Sequence, residues 1–246
     1  MKDVTTIILA AGKGTRMKKS DGNKVVTLFH DKPLIVLAVE LALSFSDQVI
    51  VVVGVHEESV RLALASYPVT YVHQSEQKGT AHATKLAIDF ISNHPPKYVV
   101  VGYGDHMMFY SSTIIQQFIQ KHISSSSVLS LVTAHCDNPN SLAYGRIVRT
   151  HSGQIDRIVE QKDASEDERA ITEINAGLYC FDYQFLRQNI HSIKASPTSG
   201  EYYLTDMVAL ANQNNKCVSP FVIPFDEIGY GINSKEDLEK SLQMKK

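Results

Sequence analysis

In the first hundred residues, short β-branched runs alternate with segments whose apolar residues recur at helical spacing. That alternation restricts the chain to a narrow set of folds. Val4 to Leu9 is followed by a glycine-containing loop from Ala11 to Met17. Leu34, Leu37, Ala38, Leu41 and Ala42 then fall at helical spacing, with Pro33 at the first-turn position that proline favours. The unbroken run Val49-Ile50-Val51-Val52-Val53, ended by Gly54, is the pattern of a strand buried on both faces. Helix over about 56–66, strand over 69–73, helix over 79–92 and strand over 98–102 continue the series. Repeated β-α-β units of this length predict a mainly parallel sheet with right-handed crossovers.

Beyond a helix at about 111–123 the pattern changes. The Ser124–Ser127 run reads as a connector, after which strands dominate, at about 128–134, 144–150, 154–160 and 173–181. Helices at about 183–191 and 203–213, a strand at 217–224 and a charged helix from Ser234 complete the series. No stretch is long and polar enough for an interdomain linker. One domain over 1–246 is expected: a nucleotide-binding part (about 1–123), a strand-rich part forming a lid or second wall (about 124–233) and a terminal helix (234–246).

Composition removes several function classes. With 43% hydrophobic and 20% charged residues and a net charge of −2, the chain of 246 residues has the balance of a globular protein. It lacks the basic excess of a nucleic-acid binder. No apolar run approaches the ~18 residues of a membrane span. The apolar start is short and runs into a Gly/Lys/Arg segment, which suits a first strand better than a signal peptide. Three cysteines without a C-x-x-C pair argue against a disulfide framework or a zinc knuckle, and His56-Glu57-Glu58-Ser59-Val60 is not H-E-x-x-H. A cytoplasmic protein is expected.

In open α/β sheets ligands bind beyond the carboxyl ends of the strands, so the first loop carries most information. Leu9-Ala10-Ala11-Gly12-Lys13-Gly14-Thr15-Arg16-Met17 fails the G-x-G-x-x-G pattern, because Met17 stands where the third glycine belongs, and it fails the Walker A spacing. What remains is a small-residue turn followed by cations: Lys13, Arg16, Lys18, Lys19 and Lys24 against a single acid, Asp21. Such a segment suits a nucleoside triphosphate, and a solvated basic loop is the alternative. Asp105, just past the Val99–Val101 run, is a metal-ligand candidate at the carboxyl end of the sheet, or else a turn or helix-capping residue.

The stretch from Leu9 to Met17 resembles the signature of the sugar nucleotidyltransferases. Six further segments are similar to one branch of them: Gln74–Ala83, Tyr103-Gly104-Asp105, Tyr144–Ile147, Ile158–Ala164, Glu173–Gly177 and Gly200–Asp206. That branch is the uridyltransferase domain of N-acetylglucosamine-1-phosphate uridyltransferase, and the likeness runs in order from the first strand to Asn233. The resemblance implies a Rossmann-like, mainly parallel mixed sheet of the nucleotide-diphospho-sugar transferase type with a strand-rich sugar-binding insertion. It implies that UTP and a sugar 1-phosphate, N-acetylglucosamine 1-phosphate first, yield UDP-sugar and pyrophosphate with Mg²⁺ as cofactor. Two alternatives are other sugar 1-phosphates or nucleotides, and a catalytically silent nucleotide-sugar binding module.

Residue by residue, the likeness makes Arg16 and Lys24 the groups that neutralise the triphosphate, with Lys13 a lesser candidate. Leu9, Ala10, Ala11, Gly12, Gly14, Gln74, Gly79 and Thr80 are implied at the nucleotide. Tyr103, Gly145, Glu160 and Asn175 are implied at the sugar. Asp105 and Asn233 are implied as ligands of Mg²⁺. Unaided, Glu160 beside Lys162 and Asp163 also reads as a surface ion pair, and Asn233 as a loop or cap residue. Tyr202 and Tyr203 read as packing residues.

The sequence departs from that pattern in three ways. His106-Met107 follows Asp105 where an apolar residue and a proline are usual, and Asn23 precedes Lys24 where a proline is usual. The bifunctional relatives also continue into a left-handed β-helix with acetyltransferase activity, which builds a trimer. Neither that activity nor that trimer is expected of residues 1–246.

Overall fold

The computed structural model describes residues 3–12, 23–91, 95–229, 231–232 and 235–244. The elements run β1 (Val4–Leu9), β2 (Leu28–Phe29), β3 (Lys32–Pro33), α1 (Leu34–Leu43), β4 (Gln48–Val53), α2 (Glu57–Ala63), β5 (Thr70–His73), α3 (Thr80–Phe90), β6 (Tyr98–Tyr103) and α4 (Ser112–Ser124). They continue with β7 (Leu129–His135), β8 (Arg146–Arg149), β9 (Ile155–Val159), α5 (Glu166–Arg169), β10 (Glu173–Asp182), α6 (Tyr183–Asn189), α7 (Met207–Gln213), β11 (Val218–Val222), α8 (Phe225–Ile228) and α9 (Lys235–Met244).

The main sheet follows the order β11-β7-β10-β6-β1-β4-β5. The pairs β1–β4, β1–β6, β4–β5 and β11–β7 are parallel, as the alternation predicts. Strand β10 is inserted antiparallel between β6 and β7. The β8–β9 hairpin joins β10 through one residue pair, Ile174 with Arg146.

The continuous apolar strands are explained by cores on both faces of the sheet. On one face Ile8, Val51 and Val100 pack with Ile35 and Val39 of α1 and Phe118 of α4. On the other, Ile7, Ile50 and Val101 pack with Ala87 and Ile88 of α3 and Met207 of α7. Each such Ile, Val or Leu contributes about 1.5–3 kcal/mol by leaving water. Ser111 caps α4 by accepting a hydrogen bond from the Ile114 N–H (3.2 Å). Among the described residues no helix is long and apolar enough to cross a membrane.

Two expectations change in detail. Pro33 is not in the first turn of α1. It is still extended (φ −58°, ψ 142°) and pairs with Leu28 in a short ribbon, because the Leu34 N–H donates back to the Thr27 carbonyl (3.0 Å). The helix expected over 203–213 begins as a 3₁₀ turn at Leu204–Asp206, where the Leu204 N–H donates to Thr80 Oγ1 (2.9 Å) before α7 starts.

The feature that shapes the site is an irregularity in β10. Between Asn175 and Tyr179 this strand advances four residues while its partner β7 advances two, from Thr133 to Leu131. Gly177 lies within the bulge at φ +72°, a conformation open to glycine at little cost.

Candidate active site

Two adjoining cavities open at the carboxyl ends of β1 and β6, of about 500 Å³ and 240 Å³. The larger is lined by Leu9, Ala10, Ala11, Gly12, Gln74, Gly79 and Thr80; the smaller by Gly145, Glu160 and Asn175. Lys24, Tyr103 and Asp105 line both. The structure therefore brings together every expected nucleotide-side and sugar-side residue that it describes. Gly14, Arg16 and Asn233, and with them Lys13, lie outside the described residues.

The wall of the larger cavity follows from backbone approach. The Ala10 N–H donates to Val52 O (2.8 Å) and the Gly104 N–H to Leu9 O (3.1 Å), holding the end of β1 to both neighbouring strands. Gln74 is 3% exposed; its Nε2 donates to Gly79 O (3.2 Å) and lies 3.0 Å from His82 Nδ1. Gly79 has φ +106°, and a Cβ there would lie 2.5 Å from Tyr202 O, so the start of α3 tolerates only glycine. Tyr202 seats that turn with its backbone: its N–H donates to Lys78 O (2.8 Å) and its carbonyl accepts from Ala81 N–H (2.9 Å).

At the junction, Lys24 forms an ion pair with Asp105; their side chains are 18% and 15% exposed. Asn23 fixes the turn that carries Lys24. Its Nδ2 donates to Ala10 O (2.6 Å), its Oδ1 accepts from Val25 N–H (3.2 Å), and its backbone N–H donates to Ser59 Oγ (3.2 Å). On the other side of Asp105, buried His106 sets its ring edge-on to Phe109 and Tyr110. Its Nε2 lies 3.3 Å from the Tyr144 hydroxyl, which accepts from Gly231 N–H (2.7 Å). His106, next to Asp105, and Gly231 are thus tied through one phenol.

The smaller cavity is built on the β10 bulge. The Asn175 N–H donates to Gly145 O (2.9 Å), Asn175 Nδ2 donates to the Tyr179 hydroxyl (2.6 Å), and Asn175 Oδ1 accepts from Gly177 N–H (3.2 Å). A Cβ on Gly177 would lie 2.5 Å from the Tyr103 ring, so the aromatic wall depends on that glycine. Burial, then the nearby Glu160 carboxylate, push the Tyr103 phenol well above its ordinary range.

Glu160 accepts a hydrogen bond from Thr205 Oγ1 (2.9 Å). Burial, opposed by that bond and reinforced by Asp206, Asp163 and Glu201, raises its carboxyl above the usual range. Burial, then Asp163, likewise raises Asp206. Glu160 is therefore not the surface ion pair that its charged neighbours suggest. The ion pair at this rim is between Lys162 and Glu201, at 3.5 Å.

Sequence reasoning missed Tyr144 and Gly177 as wall builders, although both stand in segments it singled out. It also missed Thr205, the partner of Glu160. Among the described residues no group of three or more His, Cys, Asp or Glu side chains is arranged to hold a metal.

Residues 5–222 match the Nucleotidyl transferase family. The chain belongs to that family. It is 39% identical over 236 residues to the "Bifunctional protein GlmU" of Psychrobacter sp. (strain PRwf-1), which covers 96% of this chain and 50% of that protein. It is 36% identical over 245 residues to the GlmU of Desulfotalea psychrophila, covering 98% of this chain and 70% of that protein. The chain spans about half the length of most of the curated relatives it matches. A crystal structure of UDP-glucose pyrophosphorylase complexed with UDP-glucose superposes with a TM-score of 0.76 at 18% identity, covering 99% of this chain and 98% of that one. At that identity the likeness is one of fold.

Proposed function

We propose that this nucleotidyl transferase condenses UTP with N-acetylglucosamine 1-phosphate to give UDP-N-acetylglucosamine and pyrophosphate. The observation that carries this reading is the meeting of two cavities at Lys24, Tyr103 and Asp105. A nucleotide in the larger and a sugar phosphate in the smaller would present their phosphates to each other there. The likeness to bifunctional GlmU proteins supports the choice of uracil and hexosamine.

The chemistry asks for no general base. A phosphate monoester is largely dianionic at neutral pH, its second pKa being about 6. Its oxygen forms the new bond to the α-phosphorus while the α–β bridging bond breaks, and pyrophosphate leaves with that electron pair. The task left to the protein is to align two polyanions and neutralise their charge. Lys24 supplies a cation at the junction, joined in this reading by Arg16. Gln74 faces the base edge, Ala10, Ala11 and Gly12 pack beside the nucleoside, and Glu160 and Asn175 hold sugar hydroxyl or amide groups.

Asp105 fits a hard divalent cation that takes one or two protein carboxylates and completes its shell with phosphates and water. With Asn233 it would hold Mg²⁺, whose chemistry when bound is to polarise phosphate oxygens and offset their charge.

The test is pyrophosphate release from UTP and N-acetylglucosamine 1-phosphate, with and without Mg²⁺, for the native protein and Asp105→Ala. Metal-dependent release that disappears in a folded Asp105→Ala protein is expected. Release from another sugar 1-phosphate alone would replace the hexosamine assignment. Tight UDP-sugar binding without release from any pair would replace the enzyme with a binding module.

A further inference from the structure

Asn23 has its backbone and side chain engaged at once, and its four hydrogen bonds, one of them from the Val26 N–H to its carbonyl (3.1 Å), reach three separate pieces of the fold. It is 2% exposed. Its Nδ2 holds the carbonyl of Ala10 at the end of β1 (2.6 Å), its Oδ1 caps the short turn Lys24–Val26 at the Val25 N–H (3.2 Å), and its N–H reaches Ser59 Oγ in α2 (3.2 Å). Ser59 Oγ donates in turn to His56 O (2.8 Å). Ala10 lines the larger cavity, and the next residue after Asn23 is Lys24, paired with Asp105. The buried amide therefore fixes the distance between the cavity wall and the only charge of the turn Lys24–Val26. A buried amide with both its donor and acceptor used is costly to disturb and so sets geometry tightly.

We infer that Asn23 is the positioning residue that holds the Lys24 ammonium at the phosphate end of the cleft. The inference rests on the proposed binding of a nucleoside triphosphate in the larger cavity. Asn23 also lines the larger cavity, but its side-chain amide is engaged with Ala10 and Val25, so in this assignment it acts through Lys24.

A double-mutant cycle on UTP binding, read by calorimetry at fixed Mg²⁺, tests it. Asn23→Ala is expected to weaken binding by about tenfold in the native background, the scale of one lost charge-assisted phosphate contact. In the Lys24→Met background the same change is expected to cost less than about twofold, since the group it positions is gone. A general loosening of the fold would instead lower binding equally in both backgrounds, and that result overturns the inference. Should Asn23→Ala not fold, Asn23→Ser carries the same cycle: its hydroxyl can still cap the Val25 N–H, while the tether to Ala10 O is lost. Inorganic pyrophosphate is titrated alongside as a base-free probe. Binding of pyrophosphate but not UTP removes the uridine assignment and leaves the cycle to be read on pyrophosphate. Binding of neither overturns the triphosphate reading of the cleft and this inference with it.

Discussion

The Lys24 ammonium rests on the Asp105 carboxylate at the junction of the two cavities, each side chain less than one-fifth exposed. The cation assigned to phosphate and the carboxylate assigned to Mg²⁺ are partners in one ion pair. Each can compete with the other's ligand.

Binding of metal and of nucleotide is therefore expected to be linked. Lys24→Met should raise Mn²⁺ affinity of the nucleotide-free protein by up to about fivefold, since a competing pair of this kind is worth up to ~1 kcal/mol. The same change should weaken UTP binding. Mn²⁺ titration by electron paramagnetic resonance checks the first arm and calorimetry the second; unchanged Mn²⁺ affinity would remove the competition.

Glu160 should impose a pH-dependent cost on the fold. Its carboxyl is raised by burial, so the native state holds the proton at pH values where the unfolded chain has lost it. The associated stability is fully present below the ordinary carboxylate range and is lost as pH rises through the raised value. Glu160→Gln should therefore increase Tm more at pH 8 than at pH 5, measured by scanning calorimetry. If Glu160 also accepts sugar hydroxyls, kcat/KM for the sugar phosphate should fall by about 10- to 100-fold.

Gly177→Ala tests the bulge. The substitution places a methyl carbon in a φ +72° conformation and against the Tyr103 ring. A loss of about 1–3 kcal/mol in urea denaturation is expected. A rise in KM for the sugar phosphate, with KM for UTP less affected, should accompany it; equal effects on both substrates would argue that the bulge does not separate the two cavities.

Arg146 is a buried cation held by backbone carbonyls. It donates to the carbonyls of Tyr144, of Pro139 (2.6 Å), of Leu142 (3.5 Å) and of Arg169 (3.2 Å). Arg146→Met keeps much of the volume but leaves these acceptors without their donor, and should destabilise the fold by about 2–4 kcal/mol. Denaturant midpoints measure this, and a change under ~0.5 kcal/mol would show that water replaces the guanidinium at no cost.

The sheet was legible because its strands alternate between two cores, so apolar runs such as Val49–Val53 could be nothing but buried strands. The small residues of the first loop and Asp105 were legible for a chemical reason: they stand where open sheets present ligands. Other features had no one-dimensional signature. The two extra residues of β10 do not break its apolar character, and only pairing with β7 reveals them. Asn23 read as a missing proline, because a sequence displays the lost ring and hides the hydrogen bonds that the Asn23 N–H and amide make in its place. Arg146 lies within a segment of the family resemblance, yet nothing in its neighbours tells that its charge is enclosed by carbonyl oxygens.

Strand β10 is zipped to β6 on one edge and to β7 on the other, so the floor beneath both cavities is one hydrogen-bonded surface. Prising the cleft apart at its middle would unzip ladder bonds, and the β8–β9 hairpin is tied down as well, by the Arg149–Glu173 ion pair to β10 and by Asn212 Nδ2, which donates to the carbonyls of Ile155 and Asp156. In the proposed reaction both walls of the smaller cavity are thus parts of one frame, and choice between sugars falls to the side chains that face the guest rather than to a moving wall.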